Sequence, residues 1–203
     1  LQRSGYIAAL TDPDFIAAVQ RGSFGRIALT YVEWAGPQRH RVVIPWTTVS
    51  DEEDAELLAE ILAAAPIQSM RGTSISSVLE FSLELLEDNG FAGVRRVIDV
   101  SGDGPNNMGP PVLPVRERVL EAGVTINGLP LMLRPSLRGT SITPGLDDYF
   151  RDCVIGGPGA FVLPVHELDE VVEAIRRKLV LDIAGRPTAI PTVQWVQAAP
   201  TVD

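Results

Sequence analysis

The residues best suited to chemistry lie in one stretch, 95–107, with the sequence Arg-Arg-Val-Ile-Asp-Val-Ser-Gly-Asp-Gly-Pro-Asn-Asn. It begins with β-branched residues and ends in a Gly/Pro/Asn cluster, which predicts a buried strand running into a sharp loop. Asp103 stands between two glycines just past that strand. Ligands of open parallel α/β sheets bind outside the carboxyl ends of the strands, where a functional carboxylate is expected. The alternative is a plain turn, because Asp and Asn side chains cap their own backbone, and the loop alone leaves both readings open.

The same stretch imitates two known sites and matches neither. Asp99 to Gly104 reads like the start of an EF-hand calcium loop, but Pro110 stands where the bidentate Glu is required. Ser101 lies in no Gly-x-Ser-x-Gly elbow, so the pattern does not favour a serine hydrolase. Asp99 lies inside the predicted strand and needs buried partners there, which indicates a structural role.

Thr73 is the second candidate, because it lies in Gly72-Thr73-Ser74 at the start of a predicted helix. A threonine in this position is also a common helix N-cap, whose hydroxyl accepts an N–H of the first turn. From the residues alone, the N-cap is the preferred interpretation.

These residues need a framework, and hydrophobic periodicity predicts one. Strands are expected at 26–34, 41–46, 94–100, 124–131 and 160–165. Helices are expected at 1–20 with a break at Asp12-Pro13, after a capping box at Ser50, after Gly72, after Pro110, near 145–152 and at 167–183. This order predicts an α/β fold with a doubly wound, mostly parallel sheet, helices on both faces and one antiparallel hairpin. Residues 1–184 form the domain, and the Pro-containing residues 185–203 are a tail or linker.

Three helices carry apolar faces that predict buried positions. The first, after Ser50, presents Leu57, Leu58, Ile61 and Leu62. The second, after Gly72, presents Ile75, Val78, Leu79, Ser82, Leu85 and Leu86. The last places Leu168, Val171, Val172, Ile175, Leu179 and Ile183 inside, and Lys178 on its polar face with Glu170, Glu173, Arg176 and Arg177.

The composition limits the classes of function that are open to the chain. The chain has 203 residues, 45% of them hydrophobic and 21% charged, as in an ordinary soluble globular domain. The net charge of −9 argues against nucleic acid as a partner, and no apolar run approaches the roughly 20 residues of a membrane span. One cysteine and two distant histidines exclude an internal disulfide and a Cys- or His-rich metal centre.

Several strings in order resemble a bacterial family of unknown function within the von Willebrand factor type A (VWA) superfamily. The strings lie at 25–28, 31–34, 44–47, 72–75, 97–107, 125–129 and 154–159. The resemblance runs from residue 1 to about 184. It implies a doubly wound sheet with a metal-ion-dependent adhesion site at the carboxyl edge.

The resemblance also implies a ligand set. Thr73 matches the threonine of that site and Asp103 its aspartate, and the expected ion is Mg²⁺ or another divalent cation that bridges to an acidic group of a protein partner. The superfamily's Asp-x-Ser-x-Ser loop falls before Leu1 and is absent from this chain. We therefore expect the present chain to bind Mg²⁺ weakly or not at all.

The superfamily's first strand falls before Leu1 too, and the first helix is under way at residue 1 without a cap. We therefore expect 26–34 and 94–100 not to be direct neighbours. Two functions stay open: a divalent-cation-dependent protein-binding module, and a metal-assisted hydrolase that uses Asp103. No His or Lys stands beside the site motifs, which favours binding.

Overall fold

Four strands and seven α-helices make up the domain in a computed structural model that describes residues 2–68, 71–87, 89–133 and 143–184. The strands are β1 (Ile27–Trp34), β2 (His40–Val49), β3 (Val97–Gly102) and β4 (Thr125–Pro130). The helices are α1 (Gln2–Leu10), α2 (Pro13–Arg21), α3 (Glu52–Ala64), α4 (Ile75–Glu87), α5 (Val112–Glu121), α6 (Leu146–Tyr149) and α7 (Val171–Ala184). A π-helical turn, Phe150–Val154, continues α6, and a 3₁₀ turn, Leu168–Glu170, precedes α7. The tail predicted at 185–203 lies outside the described residues.

The predicted hairpin is confirmed. β1 and β2 pair antiparallel from Ile27 opposite Val49 to Trp34 opposite His40. β2 is longer than predicted because it continues past Trp46 to Val49, and it contains Pro45, which has no N–H to donate to the ladder. The register shifts opposite this proline, between Leu29 and Tyr31, as expected of a bulge.

The second sheet is parallel and equally small. β3 and β4 pair from Val97 opposite Thr125 to Gly102 opposite Pro130. The strand expected at 160–165 is reduced to isolated bridges, at Val162 and Val165. A single doubly wound, mostly parallel sheet is therefore not confirmed, because the described residues form two separate two-stranded sheets.

A groove separates the two sheets. β1 and β3 are not hydrogen-bonded to each other, and a cavity of about 1250 Å³ lies between them. Trp34 packs within 3.6 Å of the Cβ position of Gly102, so the carboxyl ends of both strands lie at the same end of the groove. Arg26 and Arg95, which precede the two strands, also line it. β1 and β3 therefore run in the same direction along its two sides.

The hydrophobic core is divided accordingly. One cluster lies among α1, α2, α3, α7 and β2, and includes Phe15, Ile44, Leu58 and Ile175. The other lies among α4, α5, α6 and β3, and includes Leu79, Val100, Val119 and Phe150. β4 contributes to both clusters, through Leu129 in the first and Ile126 in the second, so the two cores meet at the β3–β4 sheet.

Two helix starts show how local chemistry sets the boundaries. Asp12 caps α2 by accepting the N–H of Asp14 at 2.9 Å, which confirms the break at Asp12-Pro13. The cap of α3 is Asp51, not Ser50, and it accepts the N–H of Asp54 at 3.0 Å. Ser50 is instead a donor, because its N–H and its hydroxyl both bond to a carboxylate oxygen of Asp54.

All three predicted apolar faces are only partly covered, and on the last of them Leu168 and Val172, predicted inside, are exposed. On α3, Leu58 and Leu62 are buried but Leu57 is 52% exposed, so its predicted burial is wrong. On α4, the first turns are buried as predicted, but Ser82, Leu85 and Leu86 are half-buried and line the groove. The second half of α4 therefore presents its apolar face to the groove.

In the part of the chain that the structure describes, no helix is both long enough and apolar enough to cross a membrane.

The two neighbouring leucines of α3 give a matched test of the fold. Leu58→Ala should lower the free energy of unfolding by about 2–5 kcal/mol, because it leaves a cavity in the core. Leu57→Ala, on the exposed face, should change it by no more than about 0.5 kcal/mol. Urea denaturation of both variants measures the difference, and equal losses would place Leu57 in the core after all.

Candidate functional site at the carboxyl edge

Thr73 and Asp103, the two predicted site residues, lie at the same end of the groove. Both line the cavity, together with Trp34 and Gly102 at the carboxyl ends of β1 and β3. A Cβ added at Gly104, the residue after Asp103, would lie 3.7 Å from the Thr73 hydroxyl oxygen. The Asp103 side chain is exposed and Thr73 is half-buried. The two loops therefore meet at one edge of the structure, as the sequence predicted.

Asn107 joins the two loops. Its side-chain oxygen accepts the Thr73 N–H at 2.9 Å, and its own N–H donates to the Thr73 carbonyl at 2.9 Å. The N–H of Met108 donates to the same carbonyl at 3.1 Å. Backbone hydrogen bonds on both sides fix where Thr73 lies relative to the loop that carries Asp103.

Asn106 makes a second connection. Its side-chain oxygen accepts both the N–H and the hydroxyl of Ser76 at 3.2 Å, and its amide donates to the Pro110 carbonyl at 3.1 Å. Its backbone N–H donates to the Tyr149 hydroxyl at 3.3 Å. Asn106 and Asn107 together tie the 103–110 loop to the start of α4.

The first turn of α4 leaves the Thr73 hydroxyl available. Ser74, not Thr73, has the capping geometry, because its hydroxyl oxygen accepts the Ser77 N–H at 3.4 Å. The Ser74 N–H donates to the Ala35 carbonyl at 2.8 Å, which ties α4 to the end of β1. Within the described residues the Thr73 hydroxyl makes no hydrogen bond, so the N-cap interpretation of Thr73 is not supported.

The donors at this edge suit a hard cation in kind but are few in number. A hydroxyl and a carboxylate are oxygen ligands of the type that Mg²⁺ prefers. Among the described residues, no group of three or more His, Cys, Asp or Glu is placed to hold a metal ion. The edge can therefore supply part of a coordination shell, and the rest must come from elsewhere.

A buried ionic cluster borders the same groove, and sequence reasoning missed its centre. Lys178 of α7 is fully buried, although the helical pattern placed it on the polar face. Its ammonium pairs with Asp99 of β3 and, at 2.8 Å, with Asp182 one turn along α7. One feature of the sequence could have indicated this special position, because Lys178 is the only lysine in a chain that otherwise uses arginine. A compact ammonium suits a narrow site between two carboxylates better than a guanidinium does.

Neighbouring polar groups complete this cluster. The Tyr6 hydroxyl of α1 donates to Asp99 at 3.1 Å and lies 2.8 Å from the Ser101 hydroxyl. The Asn127 amide of β4 donates to Asp182 at 2.6 Å. The second oxygen of Asp99, Oδ1, is buried without a hydrogen-bond partner among the described residues. The structural role predicted for Asp99 is consistent with these contacts, which hold α1 and α7 on the β3–β4 sheet.

Burial and neighbouring charges shift the protonation of this cluster. Burial raises the pKa of Asp99 to about 6, against the opposing effect of the Lys178 charge. Burial by itself disfavours the charged amine, but Asp99 and Asp182 together raise the pKa of Lys178 above its usual value. Burial and the charge of Asp99 raise the pKa of Tyr6 well above its usual value. Lys178 and Tyr6 therefore keep their protons at neutral pH.

Comparison with solved structures identifies the class of fold as VWA-like. Proximal thread matrix protein 1 from the mussel byssus is 17% identical with a TM-score of 0.60, over 90% of this chain and 42% of that one. Another structure of that protein has a zinc-occupied MIDAS motif. An aerotolerance-related membrane protein from Bacteroides fragilis is 15% identical with a TM-score of 0.55, over 89% and 87% of the two chains. The pilus adhesin SpaC from Lactobacillus rhamnosus GG is 10% identical with a TM-score of 0.58, over 89% and 28%.

Comparison of the sequence with protein families shows which family the chain belongs to. The family described as "Protein of unknown function (DUF1194)" matches residues 1–187, and the chain belongs to it. No curated protein matches the chain. The chain spans about two-fifths of the mussel protein, at 42% of its length, and these distant likenesses establish the fold alone.

The ionic cluster gives the first prediction for this region. Lys178→Met should lower the free energy of unfolding by about 3–5 kcal/mol, because it leaves two carboxylates in a buried site without their cation. The matched variant Arg177→Met alters an exposed position of the same helix and should stay within about 0.5 kcal/mol of the parent. Urea denaturation at pH 7 compares them. Equal stability of the two variants would show that the cluster is not held as an ion pair.

The raised pKa of Asp99 gives the second prediction for this region. An acid whose folded-state pKa lies above its unfolded value of about 3.9 stabilises the fold at low pH and loses that contribution as pH rises through the folded pKa. With a folded pKa of about 6, this contribution disappears between about pH 4 and 6. The stability of the parent relative to Asp99→Asn should therefore fall across that range, by up to about 3 kcal/mol. A difference that stays constant from pH 4 to 7 would contradict the assignment.

Proposed function

We propose that this domain is a divalent-cation-dependent protein-binding module of the adhesion type. Thr73 and Asp103 hold the cation, and a carboxylate of the partner completes its coordination. The observation that carries the proposal is the meeting of a Thr73 hydroxyl without a hydrogen-bond partner in the described structure and an exposed Asp103 carboxylate at one end of the groove. Their loops are held together by hydrogen bonds through Asn106 and Asn107.

Water fills the coordination positions that Thr73, Asp103 and the partner leave open. Two protein oxygens fill only part of the roughly six positions around Mg²⁺, which loses its water reluctantly. Gln2 and Arg3 line the same groove, and Arg3 Nε donates to Glu33 at 3.0 Å near the carboxyl end of β1. The start of α1 therefore lies at the same end of the groove as Thr73 and Asp103.

An acidic partner can bind this acidic domain when a cation lies between their negative charges. The chain carries a net charge of −9, so a partner's carboxylate is repelled over most of the surface. A divalent cation between Asp103 and that carboxylate reverses the local sign of the interaction. The VWA-like neighbours include a pilus adhesin and a byssus protein with zinc in its MIDAS motif, which supports binding of this kind.

The alternative, a metal-assisted hydrolase that uses Asp103, is less well supported. Hydrolysis benefits from a general base within reach of the attacking water, most often His, Glu, Asp or Lys. Along the described part of the groove, neither histidine nor Lys178 is among the lining residues. The groove wall offers arginine, tyrosine and carboxylate groups, of which Asp99 is already bonded to Lys178 and Tyr6.

Titration with Mg²⁺ tests the cation site. The 203-residue chain should bind Mg²⁺ with a dissociation constant on the order of millimolar or weaker, because most of the shell remains water. Mn²⁺ as a paramagnetic probe should broaden the NMR signals of residues 72–74 and 102–104 first. Asp103→Ala should abolish this local broadening, and Asp148→Ala, at a 67% exposed carboxylate on α6, should not.

Two results would count against the proposed function. Tight, stoichiometric Mg²⁺ binding by the 203-residue chain that Asp103→Ala abolishes would mean that the ligand set is already complete. Broadening centred away from residues 73 and 103 would place the cation elsewhere. At Mg²⁺ concentrations above its dissociation constant, a Glu-containing peptide should bind to the chain and be released by EDTA, whereas release of hydrolysis products would favour the enzyme.

A further inference from the structure

Arginine side chains gather at the end of the structure opposite to Thr73 and Asp103. Arg21 in the last turn of α2, Arg95 just before β3 and Arg177 on α7 line one open pocket of about 790 Å³. Arg95 precedes β3 and Asp103 follows it, so the length of this strand separates the pocket from the candidate cation site. These three residues form the arginine surface, at the amino ends of the strands.

The acidic side chains that share the pocket are already bound to a fourth arginine. Nη1 of Arg176 donates to Asp14 at 2.6 Å, and its Nε donates to Glu173 at 2.7 Å. The same Nε lies 3.8 Å from a carboxylate oxygen of Asp12. Within the described part of the chain, the three guanidinium groups of the arginine surface form no ion pair, and all three residues are exposed. Their positive charges are therefore not neutralised by the described neighbours.

The stabilisation of helix ends explains only part of this arrangement. A basic residue near the C-terminus of a helix interacts favourably with the helix dipole, which accounts for Arg21. Arg177, however, lies about two turns before the end of α7, and Arg95 belongs to no helix. Two of the three charges therefore have no role in helix capping.

The sequence around the arginine surface keeps it positive. No Asp or Glu occurs from Phe15 to Val32 or from Asn89 to Ile98, although acidic residues outnumber basic ones by 26 to 17 in the whole chain. Arg26 and Arg96 lie in these same two stretches. A local positive potential on a domain of net charge −9 attracts an anionic partner to this one place.

The chemistry and shape of the surface favour a protein segment as that partner. A guanidinium group can make two parallel hydrogen bonds to one carboxylate. Two apolar side chains stand beside the pocket residues, Phe24 at 66% exposed and Val94 at 74% exposed. Arginine and aromatic residues together are enriched in protein–protein interfaces. A concave pocket accepts projecting side chains, whereas a flat anionic membrane would also meet the acidic remainder of the domain.

We propose that the arginine surface is a docking site for an acidic segment of a partner protein, in which Asp or Glu side chains alternate with apolar ones. The carboxylates pair with the three guanidinium groups, and the apolar side chains cover Phe24 and Val94. Because such a segment is repelled by most of the remaining surface, the partner docks in one orientation. This site needs no cation and does not rest on the proposed site at Thr73 and Asp103.

The first experiment measures binding of a short fluorescein-labelled peptide in which Glu alternates with Leu and Ser. Fluorescence anisotropy in EDTA excludes any contribution from a bound cation. The dissociation constant should be about 0.1 mM or lower at about 0.05 M salt, and should rise by about tenfold at about 0.5 M salt, because exposed charges are screened. A control peptide with Gln in place of all but one Glu should not bind, because its single carboxylate meets one guanidinium group. Equal binding of both peptides would contradict the proposal.

Charge reversal locates the binding. Arg95→Glu and Arg177→Glu should each weaken it by about tenfold or more, and both change exposed positions. Arg39→Glu alters the net charge equally at an exposed arginine between β1 and β2, which also forms no ion pair among the described residues, and should bind like the parent. Far-UV circular dichroism establishes that each variant is folded. Undiminished binding by the first two variants, or an equal loss in all three, would overturn the proposal.

Two further measurements test the choice of partner. Vesicles of phosphatidylcholine and phosphatidylglycerol should not sediment the chain, and sedimentation that Arg95→Glu and Arg177→Glu both abolish would assign the surface to a membrane. Sedimentation equilibrium should show a monomer, and a dimer that dissociates in the same two variants would assign the surface to a second copy. Either of these results contradicts an acidic partner segment.

Discussion

The constraint that shapes this structure is the demand of backbone groups for partners. β1 and β3 run side by side in the same direction, yet each is hydrogen-bonded only on its far edge among the described residues. Helices lie on both sides of the groove between them, with α1 and α7 on one side and the apolar face of α4 on the other. Two hydrophobic clusters pack around the sheets, and β4 contributes side chains to both.

A buried charge holds one side of this arrangement. Desolvating an ammonium costs several kcal/mol, and its partners repay that cost only when the geometry is good. Lys178 meets the condition with Asp99 and Asp182, while Tyr6 and Asn127 bond to those carboxylates in turn. The cluster joins residues of α1, α7, β3 and β4. Its net charge and Asp99 Oδ1, which has no hydrogen-bond partner among the described residues, are both energetically unfavourable. In return, the cluster fixes the placement of α1 and α7 on the β3–β4 sheet.

The site at the carboxyl edge depends on β3 and on the start of α4. The strand end of β3 delivers Asp103, and the hydrogen bond from Ser74 to Ala35 brings the start of α4 to the end of β1. The side chains of Asn106 and Asn107 then join the loops by hydrogen bonds, and the Thr73 hydroxyl and the Asp103 carboxylate remain at the edge. A site assembled from strand ends and a helix start is fixed by the scaffold more firmly than one on a single flexible loop.

The sequence by itself determined the local elements and the candidate site residues. Periodicity, Asp12-Pro13, Gly72 and Pro110 placed the helices and the hairpin closely, because these signals act within a few residues. The resemblance to the VWA superfamily, and not periodicity, pointed to Thr73 and Asp103 as neighbours and to β1 and β3 as strands that do not pair directly. Only the tertiary structure decided the rest. Leu57 is exposed and Lys178 faces two carboxylates because of what other parts of the chain bring alongside, and helical periodicity does not encode those contacts.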